Sequence, residues 1–326
     1  MKKYNLVRGS IHGDDSKIHP LVELDVDDIY LGNNVSIGPN TKIKGEKIYL
    51  GDNTRVDEFA RINAKYLRTG EDSVIRAWSM LEGREIKGGH RFYINFRAKV
   101  GGGSSFDYDA YLHADNWLHL GEGAELNTAR GITIGREVAI GPASKAYTHG
   151  VWGPIWEGRP EKWEPISIGD FAWMTYSRIH PGVRIGQDSV IATGSIVNVD
   201  VPAGAHVMGV PISKYRKKWK LNQYPRKISD ERKQTIIKEI AQRSEKRLLL
   251  EKGIDHKYDV KRVDEDIYDV DNVTFHMNLP RKIEGYVTES TKKSMNMFID
   301  QARRRTLRFD YKQTRDGKFV PYHVLE

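Results

Sequence analysis

An aliphatic residue recurs at every sixth position through much of this chain. In "RIGQDSVIATGSIV" the series is Ile185, Ile191 and Val197. A step of six fits neither the 3.6-residue period of an amphipathic helix nor the alternation of a half-buried strand. The same step runs through Leu31, Ile37 and Ile43, and resumes as Leu50, Val56 and Ile62 after a one-residue slip at Lys47 to Tyr49. It continues as Thr69, Ile75 and Leu81, then as Ile94, Val100, Phe106, Leu112 and Leu118. Shorter runs follow: Leu120 with Leu126, then Ile134, Ile140 and Ala146, then Ile168 with Met174. Self-similarity of this kind marks a solenoid. Short parallel strands joined by turns coil so that one aliphatic side chain per side points inward and stacks on its equivalent in the next coil. The Gly, Asn and Asp residues of "LGNN", "IGPN", "LGDN" and "IGQD" supply turn conformations that most residues avoid. A β-sandwich would place its turn signals at steps of about 8 to 12 residues. The expected fold is therefore mainly β, a parallel β-helix of hexapeptide repeats.

The 326 residues accommodate one elongated repeat domain, expected over 1–213, and a smaller extension over 214–326. Hydrophobic residues make up 39% and charged residues 29%. Residues 1–30 contain no uninterrupted apolar segment, so the expectation is a cytoplasmic chain with neither leader nor membrane span. The absence of cysteine removes disulfides, thiolate nucleophiles and Cys-ligated zinc.

The stretch Pro165 to Lys217 carries more specific features. An Ile-Gly-Asp is followed by Trp173, then by "PGVRIG", "VIATGSIV", "DVP" and "GVP". This string resembles the closing coils of the hexapeptide-repeat acyltransferases, in particular the branch of galactoside and xenobiotic acetyltransferases and bacterial polysaccharide O-acetyltransferases. Weaker repeats extend the likeness back to about Ile11, and nothing after about Lys220 belongs to it. The resemblance implies a left-handed coil, an exception to the usual right-handed crossover. It also implies a homotrimer with acetyl-coenzyme A between neighbouring subunits.

Acetyl transfer from a thioester to a hydroxyl needs a base for the hydroxyl proton, and a neutral imidazole suits that task. Of the 11 histidines, His149 in "KAYTHG" ends a repeat run just before a segment that breaks the period. The resembling enzymes carry their catalytic histidine at this place. His113 and His119, six apart, invite a metal reading like that of the gamma carbonic anhydrases, but lack that class's close His spacing; no metal is expected. His180, beside Pro181 in a turn, reads as structural. No G-x-S-x-G elbow is present, and "GGGSS" from Gly101 reads as part of a repeat. Direct transfer, with a backbone amide holding the oxyanion, is therefore expected rather than an acyl-enzyme.

Between His149 and Pro165 the aromatics Trp152, Trp156 and Trp163 leave the repeat. Indoles suit the apolar faces of sugar rings, and equally suit pinning a loop to the scaffold; both readings stay open. By resemblance, Trp173, Thr193, Gly194 and Ser195 would line the pantetheine arm, and Arg216 would meet the nucleotide phosphates. The chain departs from the family at Met174 and Thr175, at Val199 and at Ser213, so Lys214 and Lys217 would join Arg216 in that clamp. Asn127 lies where the family places a polar acceptor-site residue, and would otherwise belong to an asparagine ladder within the coil.

From Lys214 to Leu250 there are 13 Lys or Arg against 4 Asp or Glu, a surplus of nine that exceeds the whole chain's formal charge of +8. Ser229 as cap, Asp230 and Glu231 in the first turn, and Gly253 as stop predict a helix, with Ile236, Ile237 and Ile240 on its apolar face. So basic a segment suits an anionic partner: coenzyme A phosphates, a lipid-linked sugar phosphate or a membrane surface. No nucleic-acid motif is present. "NVTFHMN", a helix from about Ser290 to Arg304, and "TLRFDYKQ" predict a small α+β unit. The reaction expected is O-acetylation of a carbohydrate or surface-polysaccharide acceptor, lipid-linked or polymeric. N-acetylation of an amino sugar and a non-catalytic sugar-binding solenoid are the alternatives.

Overall fold

The structure, a computed structural model, describes residues 6–151, 155, 158–212, 228–278, 281–304, 307–309, 311–313 and 317–320. The chain divides into two units, residues 1–225 and 226–326. The boundary expected at 213/214 falls among residues outside those described.

The first unit is a three-sided parallel β-helix. One side is a sheet of ten short strands, from Lys17–Ile18 to His206–Val207, one per coil. The other two sides belong to a fourteen-stranded sheet. Through the first coils, Glu23–Leu31, Lys42–Leu50, Arg61–Thr69 and Met80–Gly88 are single nine-residue strands that bend across both of these sides. They pair in parallel at an offset of nineteen residues, as in Lys42 with Arg61. The slip read at Lys47 to Tyr49 thus recurs in every early coil: the register skips Asp27 and Glu46, which add one residue at the bend. At Gly45 the next coil approaches closely: a Cβ there would lie 2.0 Å from the Ala64 carbonyl oxygen, although the register partners Val26 and Ala64 make the same bend with side chains.

Beyond Gly88 the two sides separate. Lys99–Val100, Glu125–Asn127, Lys145–Tyr147, Arg178–Ile179 and Ile196–Val197 stack as one, while Leu112–Ala114, Ile132–Ile134, Ile166–Ile168 and Arg184–Ile185 stack as the other. The inward column is as expected: Ile37, Val56, Ile75, Ile94, Leu120, Ile140, Met174 and Ile191 are at most 2% exposed. Phe106 is the exception. It is 38% exposed, because Gly101 to Ala110 leave the coil, and Lys99 pairs with Glu125 at a step of 26 residues. "GGGSSF" is an excursion and not a repeat.

In the second unit, α1 (Asp230–Lys252) has Ser229 Oγ accepting from the Arg232 amide at 3.2 Å, and Gly253 closes it at φ +66°. Ile237, Ile240, Ala241, Ser244 and Leu248 form its buried stripe, with Ile236 packed partly against the same core. An antiparallel four-stranded sheet from Val260 to Gly285 and α2 (Lys292–Arg304) complete a core around Phe275, Phe298 and Phe309. The expected helix cap, stop and α+β character all stand. Among the described residues no helix is long and apolar enough to cross a membrane.

Candidate active site

Two excursions leave the solenoid at one corner. The first follows Val100 and the second follows Tyr147; between them the coil turns directly from Asn127 through Thr128, Ala129 and Arg130. The second excursion opens as a hairpin, His149–Val151 against Glu161–Trp163, with His149 opposite Trp163. Thr148 anchors it. Its buried Oγ1 donates to the Asn127 carbonyl at 2.8 Å and accepts from the Arg130 amide at 2.9 Å, while its carbonyl receives the Glu164 amide at 3.0 Å.

The histidine at the head of this hairpin is oriented from two directions. His149 Nδ1 lies 3.0 Å from Asn127 Oδ1, and the Trp163 ring stacks on the imidazole at a centroid distance of 4.7 Å and an angle of 14°. The Ala129 amide donates to the same Oδ1 at 3.2 Å. A backbone N–H can only donate, so that atom of Asn127 must be the oxygen, and His149 must donate to it from Nδ1. Nε2 is left with its lone pair free, which is the tautomer a general base needs. Burial, followed by the Arg130 charge, lowers the His149 pKa below the ordinary imidazole value of 6.5. Both effects favour the neutral ring over the imidazolium.

Arg130 ties the two excursions together. It pairs with Asp107 at 3.3 Å and Asp109 at 3.1 Å in the first, and its guanidinium lies 4.8 Å from the Trp163 ring centroid in the second. Gly102 brings the first excursion against Asn127: at φ +131°, a Cβ there would lie 2.4 Å from Asn127 Nδ2. On the adjoining side Glu125 accepts from Lys145 at 3.2 Å and from the Tyr147 hydroxyl at 3.1 Å, and the Glu125 hydrogen bond raises the Lys145 pKa.

Of the residues expected at the site, the structure brings together His149, Asn127 and Trp163. Asn127 is not part of a ladder; its register partner is Tyr147, and its amide serves the histidine. Trp163 is engaged by His149 and Arg130. Trp173 lies elsewhere, 53% exposed on the ten-stranded side. Thr193 and Gly194 form an exposed turn, with Gly194 at φ +78° and open space around it, while the buried Ser195 Oγ donates to the Ala192 carbonyl at 2.7 Å. This turn enters the side formed by Lys145–Tyr147 and Ile196–Val197, whereas His149 leaves it at the opposite end. Trp152, Trp156, Lys214, Arg216 and Lys217 lie outside the described residues. His113 Nε2 donates to Glu85 Oε1 at 2.7 Å, and His119 stacks on Tyr93 at 4.9 Å. Among the described residues no group of three His, Cys, Asp or Glu could hold a metal ion.

Arg130, Asp107, Asp109 and Gly102 were not read from the sequence. The signal was present in the distance from Val100 to Leu126, seven residues longer than the nineteen-residue step below it.

No protein-family model matches the chain. It is 31% identical over 109 residues to the galactoside O-acetyltransferase of Escherichia coli (strain K12), covering 32% of this chain and 54% of that protein. It is 34% identical over 131 residues to the putative acetyltransferase YJL218W of Saccharomyces cerevisiae, covering 39% and 60%. The chain thus spans a little over half the length of these curated relatives. A solved hexapeptide-repeat acetyltransferase, VCA0836 from Vibrio cholerae, is 22% identical with a TM-score of 0.28, covering 52% of this chain and 72% of that one. The resemblance to the hexapeptide-repeat acyltransferases read from Pro165 to Lys217 is borne out.

Proposed function

We propose that this protein is an acetyl-coenzyme A-dependent O-acetyltransferase of a carbohydrate acceptor, with His149 as general base. The observation that carries the reading is the imidazole held as its Nδ1–H tautomer by Asn127 and kept neutral by burial and Arg130. Nε2 takes the proton from the acceptor hydroxyl as its oxygen attacks the thioester carbonyl. The tetrahedral adduct collapses with cleavage of the C–S bond, and the imidazolium returns the proton to the leaving thiolate. Transfer is direct, since the chain has no cysteine to carry the acyl group.

The donor arm would lie along Trp173 and the turn Thr193 to Ser195, with Lys214, Arg216 and Lys217 meeting its phosphates. Within one chain that turn and His149 stand at opposite ends of a side of the prism. A homotrimer, in which the base of one subunit faces the donor turn of its neighbour, reconciles the two placements. The galactoside acetyltransferase relative suggests a sugar acceptor, and Trp163 beside the base would carry one face of it, with Trp152 and Trp156 in the same excursion.

The test is release of free thiol from acetyl-coenzyme A with a panel of mono- and oligosaccharides, for wild type and His149→Ala. The expected outcome is a loss of about 10²–10⁴-fold in the variant. Equal thiol release by both proteins with every acceptor overturns the assignment.

A further inference from the structure

Each coil of the prism turns its corners through residues of positive φ, and these stack into columns along the axis. In the column before the ten-stranded side, the early coils place Asp15, Asn34, Asn53 and Asp72 there, the residue types that tolerate the left-handed region. In the column after it, the coils of Asn34, Asn53 and Asp72 place Asn40, Phe59 (φ +58°) and Trp78 (φ +61°), and the next coil, which has Arg91 at its first corner, places Arg97 (φ +55°). Their amides confirm the stacking: Phe59 N–H bonds the Pro39 carbonyl, Trp78 the Glu58 carbonyl and Arg97 the Ala77 carbonyl.

Aromatic rings are poor choices for this backbone, and here no core burial offsets the strain. Trp78 is 53% exposed and Phe59 37%, and their rings stack face to face at 4.5 Å and 12°. Two exposed arginines lie nearby in the fold. Arg97 continues the column, exposed and lying over Phe96 at 4.9 Å, and Arg61 follows Phe59 by two residues, also exposed. Neither has a carboxylate partner among the described residues, whereas neighbouring Arg55 and Arg76 are both held by Asp57. The same column continues through Gly123, Ala143 and Tyr176 to Gly194, the turn assigned above to the donor arm.

We propose that Phe59, Trp78, Arg61 and Arg97 form a binding platform for an acidic glycan chain, which makes the acceptor an anionic oligo- or polysaccharide rather than a free sugar. The inference rests on the acetyltransferase reading. Flat exposed rings suit the apolar faces of pyranoses, and unpaired guanidinium groups suit the carboxylates or phosphates that such a chain carries. Trp78 lies three coils, about 14 Å along the axis at ~4.8 Å per coil, from the coil that bears His149, and in the trimer proposed above its column is the one that faces the neighbour's base. A short run of sugars spans that distance.

The test is retention of the full-length protein on immobilised oligosaccharides of two to eight residues, uronate-, sialate- and glycerol-phosphate-bearing, with neutral chains of equal length beside them. Acetyl-coenzyme A is omitted, so failure here is separable from failure of the acetyl-transfer assay. Wild type is expected on acidic chains, more tightly with length and less tightly with salt. Trp78→Asn and Arg97→Gln are expected to weaken retention at least tenfold. Asparagine suits the left-handed backbone, so the melting temperature of Trp78→Asn should hold or rise while binding is lost. No retention of wild type on any chain, equal retention on neutral chains, or unchanged binding by Trp78→Asn each overturns the proposal. So does a change in the oligomeric mass of Trp78→Asn, which would assign the stack to contact with a second copy.

Discussion

At the scale of single residues, the proposed chemistry rests on how few choices the surroundings leave to one imidazole. The Ala129 amide decides which atom of Asn127 is oxygen, and that oxygen decides which nitrogen of His149 carries the proton. Replacing Asn127 by Ala should lower kcat while leaving KM for acetyl-coenzyme A nearly unchanged, since the ring loses its tautomer but the donor turn is untouched; steady-state kinetics checks this. Gly102→Ala should produce a milder form of the same defect, because the added methyl displaces the Asn127 amide. The pH dependence has a definite sign. Burial and Arg130 lower the His149 pKa, so the basic form persists below the ordinary value of 6.5, and the acidic limb of the rate profile should lie below that pH. Arg130→Met removes the charge while keeping much of the stem, and the limb should move to higher pH. A profile that stays in place would remove Arg130 from the account.

At the scale of elements, the coil tolerates insertion at its corners and resists change at its inward column. Ile48, fully buried, should cost about 2–5 kcal/mol when cut to Ala, whereas Gly45→Ala should cost about 1–3 kcal/mol through overpacking against the Ala64 carbonyl. Denaturant unfolding of the two variants measures both. In the second unit, Ser229→Ala should cost about 1 kcal/mol through the lost cap. Much of this was legible beforehand. The aliphatic step of six announced the coil, and Ser229 and Gly253 announced both ends of α1, because caps and inward positions are chemically selective. The first excursion was not legible, because Phe106 falls six residues after Val100 and mimics an inward position. Only the tertiary step from Lys99 to Glu125 reveals that the chain has left the coil. Asn127 was legible as a polar residue of interest but not as the partner of His149, since the two are 22 residues apart and meet only through stacking of successive coils.

At the scale of the whole molecule, His149, the proposed base, lies at one end of a side and the turn Thr193 to Ser195, the proposed donor turn, at the other. On the function proposed above the two must meet, and a neighbouring copy would supply the missing half. The expected solution mass is that of a trimer, which light scattering measures. The most direct test of the account mixes defects: His149→Ala and Trp173→Ala chains, each inactive alone, are unfolded and refolded together and assayed for thiol release with the acceptor that wild type uses. If the site is shared between subunits, some interfaces in the mixed trimers carry both intact halves and activity returns to a measurable fraction of wild type. Mixtures as inactive as the separate variants, although light scattering shows mixed trimers, would contradict it.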